Sequence, residues 1–394
     1  MKKINRWLIS IGLVAVIGGA GYYVFHDDVR QPISQVKTVT NQVKETYSTD
    51  PDHFVLKPYQ VSSLKEKDDL LDHFLIHDML IGNSFVTNYK ASRNQSKSEL
   101  ATGHDRLSES SGIWLRHLAL AGTQKEYDDF YKKTKQAFFA DGQFSYRINA
   151  DGTRSSVNAS VDDMRIIRSL VEAQARFHDD KYSKEINTLL KTFTKQSIQD
   201  GLLVDFYDTK SKKASDEVSL YYLSIKELGY IYKKAGLPLK NVEYQYQILK
   251  NGYISDKFPF YHKNYQYKTK KYVDGDSINV IESLLSILYL SEIGEEKEES
   301  IQFIRDAVTT GTLYNAYNED GVPVDRSQSA ASYAIAAMIA REIGDEKLYR
   351  QAMNIVSNFQ IMDKNSPIYG GIGDQNTLEV YSFNNLMSAL AYDY

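Results

Sequence analysis

The chain contains no cysteine. That excludes disulfides, thiol nucleophiles, zinc knuckles and iron–sulfur clusters, and it selects no compartment. Proline is scarce, 7 in 394 residues, and avoids the segments where apolar residues recur at three- and four-residue steps. Of the 8 histidines, His104, His117 and His262 have no ligand spacing, so no metal or other cofactor is expected. Positive charge is not in excess: 47 Lys and Arg against 51 Asp and Glu give a formal charge of −4, with no reason to expect a nucleic-acid partner. Tryptophan occurs twice, whereas Tyr and Phe number 30 and 16, so the aromatic content is a Tyr and Phe bias. With 42% hydrophobic and 25% charged residues, wholesale disorder is excluded.

One long hydrophobic run is present. Trp7 to Phe25 is uncharged over 19 residues, enough to cross the ~30 Å hydrocarbon core as a helix. Lys2, Lys3 and Arg6 precede it and Asp27 and Asp28 follow, which predicts a cytoplasmic N-terminus and an extracellular body. A cleaved signal would be shorter and end in a small-x-small site, whereas this run ends in Gly-Tyr-Tyr-Val-Phe. The expected organisation is a signal-anchor over 1–26, a polar tether over 27–60 and one domain over 61–394.

Helical periodicity fills that domain. Twelve segments are expected, at roughly 64–90, 109–122, 124–138, 159–178, 181–199, 217–235, 241–251, 276–293, 295–310, 327–343, 345–358 and 379–391. Tight turns join several pairs, as at Ala121-Gly122-Thr123 and Gly344-Asp345-Glu346. Longer loops of about 15–25 residues separate the pairs and carry turn signals such as Asp141-Gly142 and Asp320-Gly321. Six hairpins at this spacing predict an all-α toroid, an (α/α)6 barrel, rather than the ~34-residue units of a repeat solenoid. Its long loops would gather at one rim and build a cleft.

Acids open several of the helices expected to be inner: Glu109, Asp162 and Asp163, Asp216 and Glu217, Asp274 and Asp276. Each alone fits capping of a helix N-terminus. As a set converging on one cleft, they suggest acid and base work on a glycosidic bond. On a helix Asp163 shares a face with Ile166, Ile167 and Leu170 and so heads an inward stripe. Asp162 shares its face with Arg165 and Ser169, which suggests an ion pair or solvent. The same test leaves Asp274 and Asp276 undecided.

These residues carry a resemblance. Ser108-Glu109-Ser110-Ser111-Gly112 is similar to the Ser-Glu-Gly-x-Gly around the general acid of glycoside hydrolase family 8, especially its divergent Gram-positive branch. Ala159-Ser160-Val161-Asp162-Asp163-Met164-Arg165-Ile166 resembles the family's Ala-Ser/Thr-Asp-Gly/Ala-Asp-Leu-x-Ile. Tyr272-Val273-Asp274-Gly275-Asp276 stands where many members carry their base, and Glu379 to Leu386 looks like the last inner helix. The resemblance spans roughly 64 to 392. It implies Glu109 as general acid, Asp276 as base with Asp274 as the alternative, and Asp163 holding the sugar at the cleavage point. It also implies inversion at the anomeric carbon. Val161 and Asn279 depart from the family pattern, so central sugar contacts are expected to differ.

Asp162, Phe260, Tyr261, Tyr265, Tyr317 and Tyr381 are the expected substrate contacts, the rings as flat faces for sugars. The function expected is a membrane-anchored, endo-acting hydrolase of an exopolysaccharide, with synthesis or export machinery as a further partner. The competing readings are a non-catalytic polysaccharide-binding or assembly protein on the same fold, and a polysaccharide lyase or uronide hydrolase. Lys268, Lys270 and Lys271 keep the lyase open.

Overall fold

The computed structural model describes residues 41–59, 61–91 and 100–394. The apolar run Trp7–Phe25 lies outside the described residues. Among those described, no helix is long and apolar enough to cross a membrane.

Helices α1 (Asn41–Glu45) and α2 (Lys65–Phe74) lead into five hairpins and a last helix. The hairpins are α3 (Ser108–Leu120) with α4 (Gln124–Phe138), α5 (Ser160–Phe177) with α6 (Asp180–Gln196), α7 (Ile225–Ala235) with α8 (Lys240–Asn251), α9 (Val280–Ser291) with α10 (Glu298–Thr310), and α11 (Ala330–Glu342) with α12 (Glu346–Asn358). Helix α13 (Ser382–Tyr392) packs on α2, so the two ends of the domain form the sixth pair. The odd-numbered helices from α3 to α13 form a closed ring, in which α13 packs against α3 and the Arg168–Glu227 ion pair joins α5 to α7. The (α/α)6 architecture is the one expected from the sequence.

Burial separates the two layers. The inner α11 is buried from Ala330 to Ala340, and its alanines let neighbouring helices approach closely. The outer α12 buries one stripe, Leu348, Tyr349, Ala352, Met353 and Val356, and gives its other face to water. Short caps set the turns at the closed end. Thr123 and Glu126 form a capping box on α4, and Asp345 accepts from the Leu348 N–H to cap α12.

The long loops gather at the opposite rim, where they are short antiparallel strands rather than coil. The chief ones are Glu217–Ser219, Asn264–Gln266 and Lys271–Val273 in one sheet and Ile278–Asn279, Tyr314–Tyr317 and Pro323–Gln328 in another. Several inner helices therefore begin later than periodicity suggests. Asp216 and Glu217 lead into a strand, and Asp274 and Asp276 lie in the turn between Val273 and Ile278. The β-forming Tyr272 and Val273 pair across to Tyr265 and Asn264 before α9 can start at Val280.

The segment expected to end the tether belongs to the domain. Val43, Tyr47 and Phe54 are buried, and the chain from 43 to 59 crosses the closed end of the barrel. Tyr47 lies so close to Gly229 that a Cβ there would meet its ring at 2.5 Å. Phe54 packs edge-on to Tyr230 beneath the Arg168 guanidinium, and the Arg341 side chain donates to the Lys57 carbonyl. The buried rings, not the weak periodicity, are what tie this stretch down.

Charge closes the ring at that end. Arg116 grips Glu172 through Nε and Nη2, and Arg168 reaches Glu172, Glu227 and Glu292 at 2.9, 3.0 and 2.6 Å. Buried ions of this kind stay folded only while their partners are present. His117 of α3 lies between Asp393 (2.8 Å) and Asp72 of α2 (3.3 Å), stacked on Trp114. Burial disfavours its charged form, but Asp393 and Asp72 outweigh burial and hold the imidazole well above its ordinary value. Asp68 faces the same group, pushed up to about 7 by burial beside Asp72 and Asp393.

A raised histidine stabilises fully below its unfolded value of about 6.5, and the contribution is lost as pH climbs through the folded value. His117→Gln is therefore expected to cost about 3 kcal/mol at pH 6. In denaturant melts its gap from wild type should narrow as the pH is raised. A gap that stays constant into alkaline solution would contradict the ion-pair account.

Candidate active site

The N-terminal ends of the inner helices meet at the strand-lined rim. The strand Arg106–Leu107 pairs with Arg147–Ile148 and delivers the chain into α3 with Glu109 as its second residue. Leu107, Glu109, Tyr146, Ala159, Val161, Asp162 and Tyr222 line one cleft.

One turn of α3 is fitted to α5. The Ser108 hydroxyl donates to Asp162 Oδ2 (2.8 Å), and Arg165 Nη1 donates to Asp162 Oδ1 (2.9 Å). The Arg165 stem lies across Gly112, where an added Cβ would sit 3.3 Å from Cδ. Ser108, Glu109 and Gly112 of the Ser-Glu-x-x-Gly motif thus each face the Asp162–Arg165 pair.

The two carboxyls in this cleft differ in their donors. Burial raises Asp162, and Arg165, the Ser108 hydroxyl and the Glu109 N–H oppose it by favouring the charged form. No protein donor reaches the Glu109 side chain among the described residues, and it is buried. Burial first, then the charge of Asp162, pushes it up to about 8 against the pull of Arg165. When two carboxyls share a site, the proton stays with the one lacking donors. Near neutral pH that is Glu109.

Asp163 is not in this cleft. It accepts from the Phe144 N–H (3.1 Å) and from Asn158 Nδ2 (2.7 Å), in a small cavity between α5 and α6 lined by Ile167, Leu189 and Phe193. Burial pushes it up to about 8. The apolar stripe assigned to its face is real, but α5 is buried on nearly every side, so an apolar face does not distinguish the axis from the outer layer. Asp162 takes the inward place, and the ion pair to Arg165 is the one its helical face suggests.

The two candidate bases have different surroundings. Asp274 is fully engaged: Oδ2 meets His262 Nδ1, and Oδ1 accepts from the Lys263 N–H at 2.7 Å. Asp276, two residues on, is exposed, and no hydrogen bond or ion pair joins it to another described residue. Asn279 caps α9 by accepting from the Ile281 N–H.

The expected aromatic faces are largely absent. Phe260, Tyr261, Tyr265 and Tyr317 are each at most 3% exposed. Phe260 packs edge-on to Phe303 of α10 and to Tyr317, with centroids 4.9 and 5.7 Å away. These rings are the core beneath the rim sheets and not a sugar platform. Tyr381 is half-buried at the opening of α13, where its hydroxyl donates to Glu379 (3.3 Å).

Several rim residues carried no motif. Tyr146 and Tyr222 line the cleft beside Glu109. Asp205 accepts from the Ser219 N–H and hydroxyl at 2.6 and 2.7 Å and is pushed up to about 7 by burial, while its carbonyl accepts from the Ser160 N–H that opens α5. Glu282, in the first turn of α9, pairs with Lys263 at 3.0 Å and is raised by burial. The available signal for Glu282 was its place three residues after the Asn279 cap; Asp205 gave none. Among the described residues, no cluster of His, Asp or Glu is arranged to hold a metal ion.

No protein-family model matches the chain. Of the curated relatives, YdaJ of Bacillus subtilis (strain 168), whose name describes a lipoprotein, is 26% identical over 336 residues, covering 81% of this chain and 85% of the relative. Among solved structures, an α-amylase from Clostridium perfringens is 29% identical with a TM-score of 0.74, covering 83% of this chain and 97% of its own. PssZ from Listeria monocytogenes is 19% identical with a TM-score of 0.64, covering 86% and 97%. A family 8 endoglucanase, Cel10 of Klebsiella pneumoniae, is 12% identical with a TM-score of 0.56, covering 82% and 97%. The last two likenesses concern the fold alone. The chain thus has the six-hairpin fold of a family 8 glycosyl hydrolase, and in sequence and structure it is similar to an α-amylase.

Proposed function

We propose that the protein is an extracellular, membrane-attached glycoside hydrolase that cleaves within an exopolysaccharide with inversion of configuration. The observation that carries this is Glu109, buried without a donor among the described residues beside the charged Asp162–Arg165 pair, a protonated carboxylic acid at neutral pH. In that role Glu109 gives its proton to the glycosidic oxygen as the C1–O bond breaks. The free carboxylate of Asp276 takes a proton from the water that attacks C1 on the opposite face. Asp276 suits this better than Asp274, whose two oxygens are already engaged by His262 and Lys263. Asp162, in place of Asp163, then orients the sugar and holds the proton on Glu109. The α-amylase likeness and the lipoprotein name of YdaJ support carbohydrate hydrolysis at a cell surface. With no cysteine to carry a lipid, attachment falls to the apolar run Trp7–Phe25.

The test is release of reducing ends from starch, mixed-linkage glucan, xylan and the producing cell's own exopolysaccharide, with the first-formed anomer read by proton NMR. Glu109→Gln should lower turnover by about 10²- to 10⁴-fold. Equal rates for wild type and Glu109→Gln, or no hydrolysis of any of the four, would reject the reading. Asp276→Asn should abolish turnover with the melting temperature unchanged, because that side chain bonds to no other described residue.

A general acid works while protonated, so activity falls as pH rises through the Glu109 value of about 8. Asp162→Asn removes the negative neighbour and leaves Arg165 uncompensated, and both changes favour ionised Glu109. The alkaline limb of kcat against pH should therefore move to lower pH in Asp162→Asn. A limb that stays in place, or moves up, would contradict this assignment.

A further inference from the structure

Two rim hairpins carry nearly the same four residues at their turns. Lys210-Ser211-Lys212-Lys213 joins the strands Tyr207–Asp208 and Lys213–Ala214, and Lys268-Thr269-Lys270-Lys271 joins Asn264–Gln266 and Lys271–Val273. In both, the third residue is left-handed, Lys212 at φ 54° and Lys270 at φ 56°. Glycine adopts that conformation freely, whereas a lysine is strained there. The turn does not require lysine; what lysine adds is charge.

Both hairpins rise beside the acid cleft. The first is rooted at Tyr207, whose N–H donates to Asn158 Oδ1 (2.7 Å) just before α5 opens. The second runs down to Lys263, which pairs with Glu282 of α9. They are neighbours: the Tyr267 N–H donates to the Asp216 carbonyl, and Lys268 pairs with the Asp216 carboxylate at 2.9 Å. The acids facing them are Asp208, which accepts from the Lys210 backbone N–H, Asp216, and Glu217, which lies across from Gln266 and accepts from Asn264 Nδ2. Lys210, Lys212, Lys213, Lys270 and Lys271 are exposed and join no carboxylate in an ion pair among the described residues. A local excess of cations thus stands on one side of the cleft in a chain of net charge −4.

We propose that these two hairpins form a cationic arm for a polysaccharide bearing carboxylate or phosphate groups, gripping the polymer away from the bond that is cut. This rests on reading the cleft as a polysaccharide hydrolase and narrows its substrate to anionic polymers. A repeating anion matches a repeated lysine turn. Each exposed contact is weak alone, so the grip comes from several at once and weakens with salt. A membrane surface is the less suitable occupant, because the segment 43–59 leads into the domain across the opposite, closed end.

The experiment is affinity electrophoresis of the full chain through gels holding polygalacturonate, a glycerol-phosphate teichoic acid or neutral mixed-linkage glucan. Sedimentation with phosphatidylglycerol vesicles runs in parallel. Wild type should be retarded by at least one of the two anionic polymers at about 20 mM salt and released at about 300 mM. Replacing Lys212, Lys213, Lys270 and Lys271 together by Gln should weaken that retardation about tenfold, and replacing the same four by Arg should preserve it. Retardation by neither anionic polymer, equal retardation of the Gln variant, or binding to vesicles alone would overturn the proposal. Glu109→Gln, run alongside, separates the two readings. Lysine-dependent binding with no turnover by wild type defeats the hydrolase and leaves the arm; turnover of neutral glucan without anionic binding does the reverse.

Discussion

The contact on which the site depends is the ion pair between Asp162 and Arg165, laid across Gly112 and locked by Ser108. The pair lies at the N-terminal end of α5, and the Ser108 hydroxyl and the packing of Arg165 on Gly112 fasten that end to the N-terminal end of α3. The pair also fixes a negative charge in a poorly solvated cleft beside a carboxyl that has no donor among the described residues. Removing solvent from two acids and giving all the donors to one forces the proton onto the other. The chemistry proposed for Glu109 follows from that asymmetry and needs no metal or cofactor.

The closed ring makes such an arrangement stable. Inner helices buried on nearly all faces cannot leave polar groups to water, so charges inside the barrel are met by opposite charges: Arg116 and Arg168 by Glu172, Glu227 and Glu292. The 43–59 segment seals that end with Tyr47 and Phe54. At the rim, the strand pair flanked by Lys263 and Asp274 fixes where α9 starts. The closed end is thus dense in compensated charge, whereas at the rim Glu109 and Asp276 meet no ion-pair partner among the described residues.

The architecture was legible because amphipathic outer helices and Gly- or Asp-marked turns write a 3.6-residue period that few prolines interrupt. The motif at Glu109 was legible for a related reason: Ser108, Glu109 and Gly112 lie close enough in sequence to be read as a unit. Asp162 and Asp163 were read in the wrong order, because a face rule presumes a wet side and α5 has almost none. The rings of Phe260, Tyr261, Tyr265 and Tyr317 were read as a sugar platform because they fall in long loops. Those loops fold into sheets that cover α10 and bury them. Asp205 and Glu282 owe their place to pairing across the rim, which local spacing does not encode.

The central claim is that Glu109 is a neutral acid at the pH where the protein works. The most direct measurement is the infrared difference spectrum between wild type and Glu109→Gln, followed with pH. The account predicts a protonated-carboxyl band assigned to Glu109 at pH 6 that disappears as pH rises through about 8. A spectrum showing Glu109 already ionised at pH 6 would contradict it.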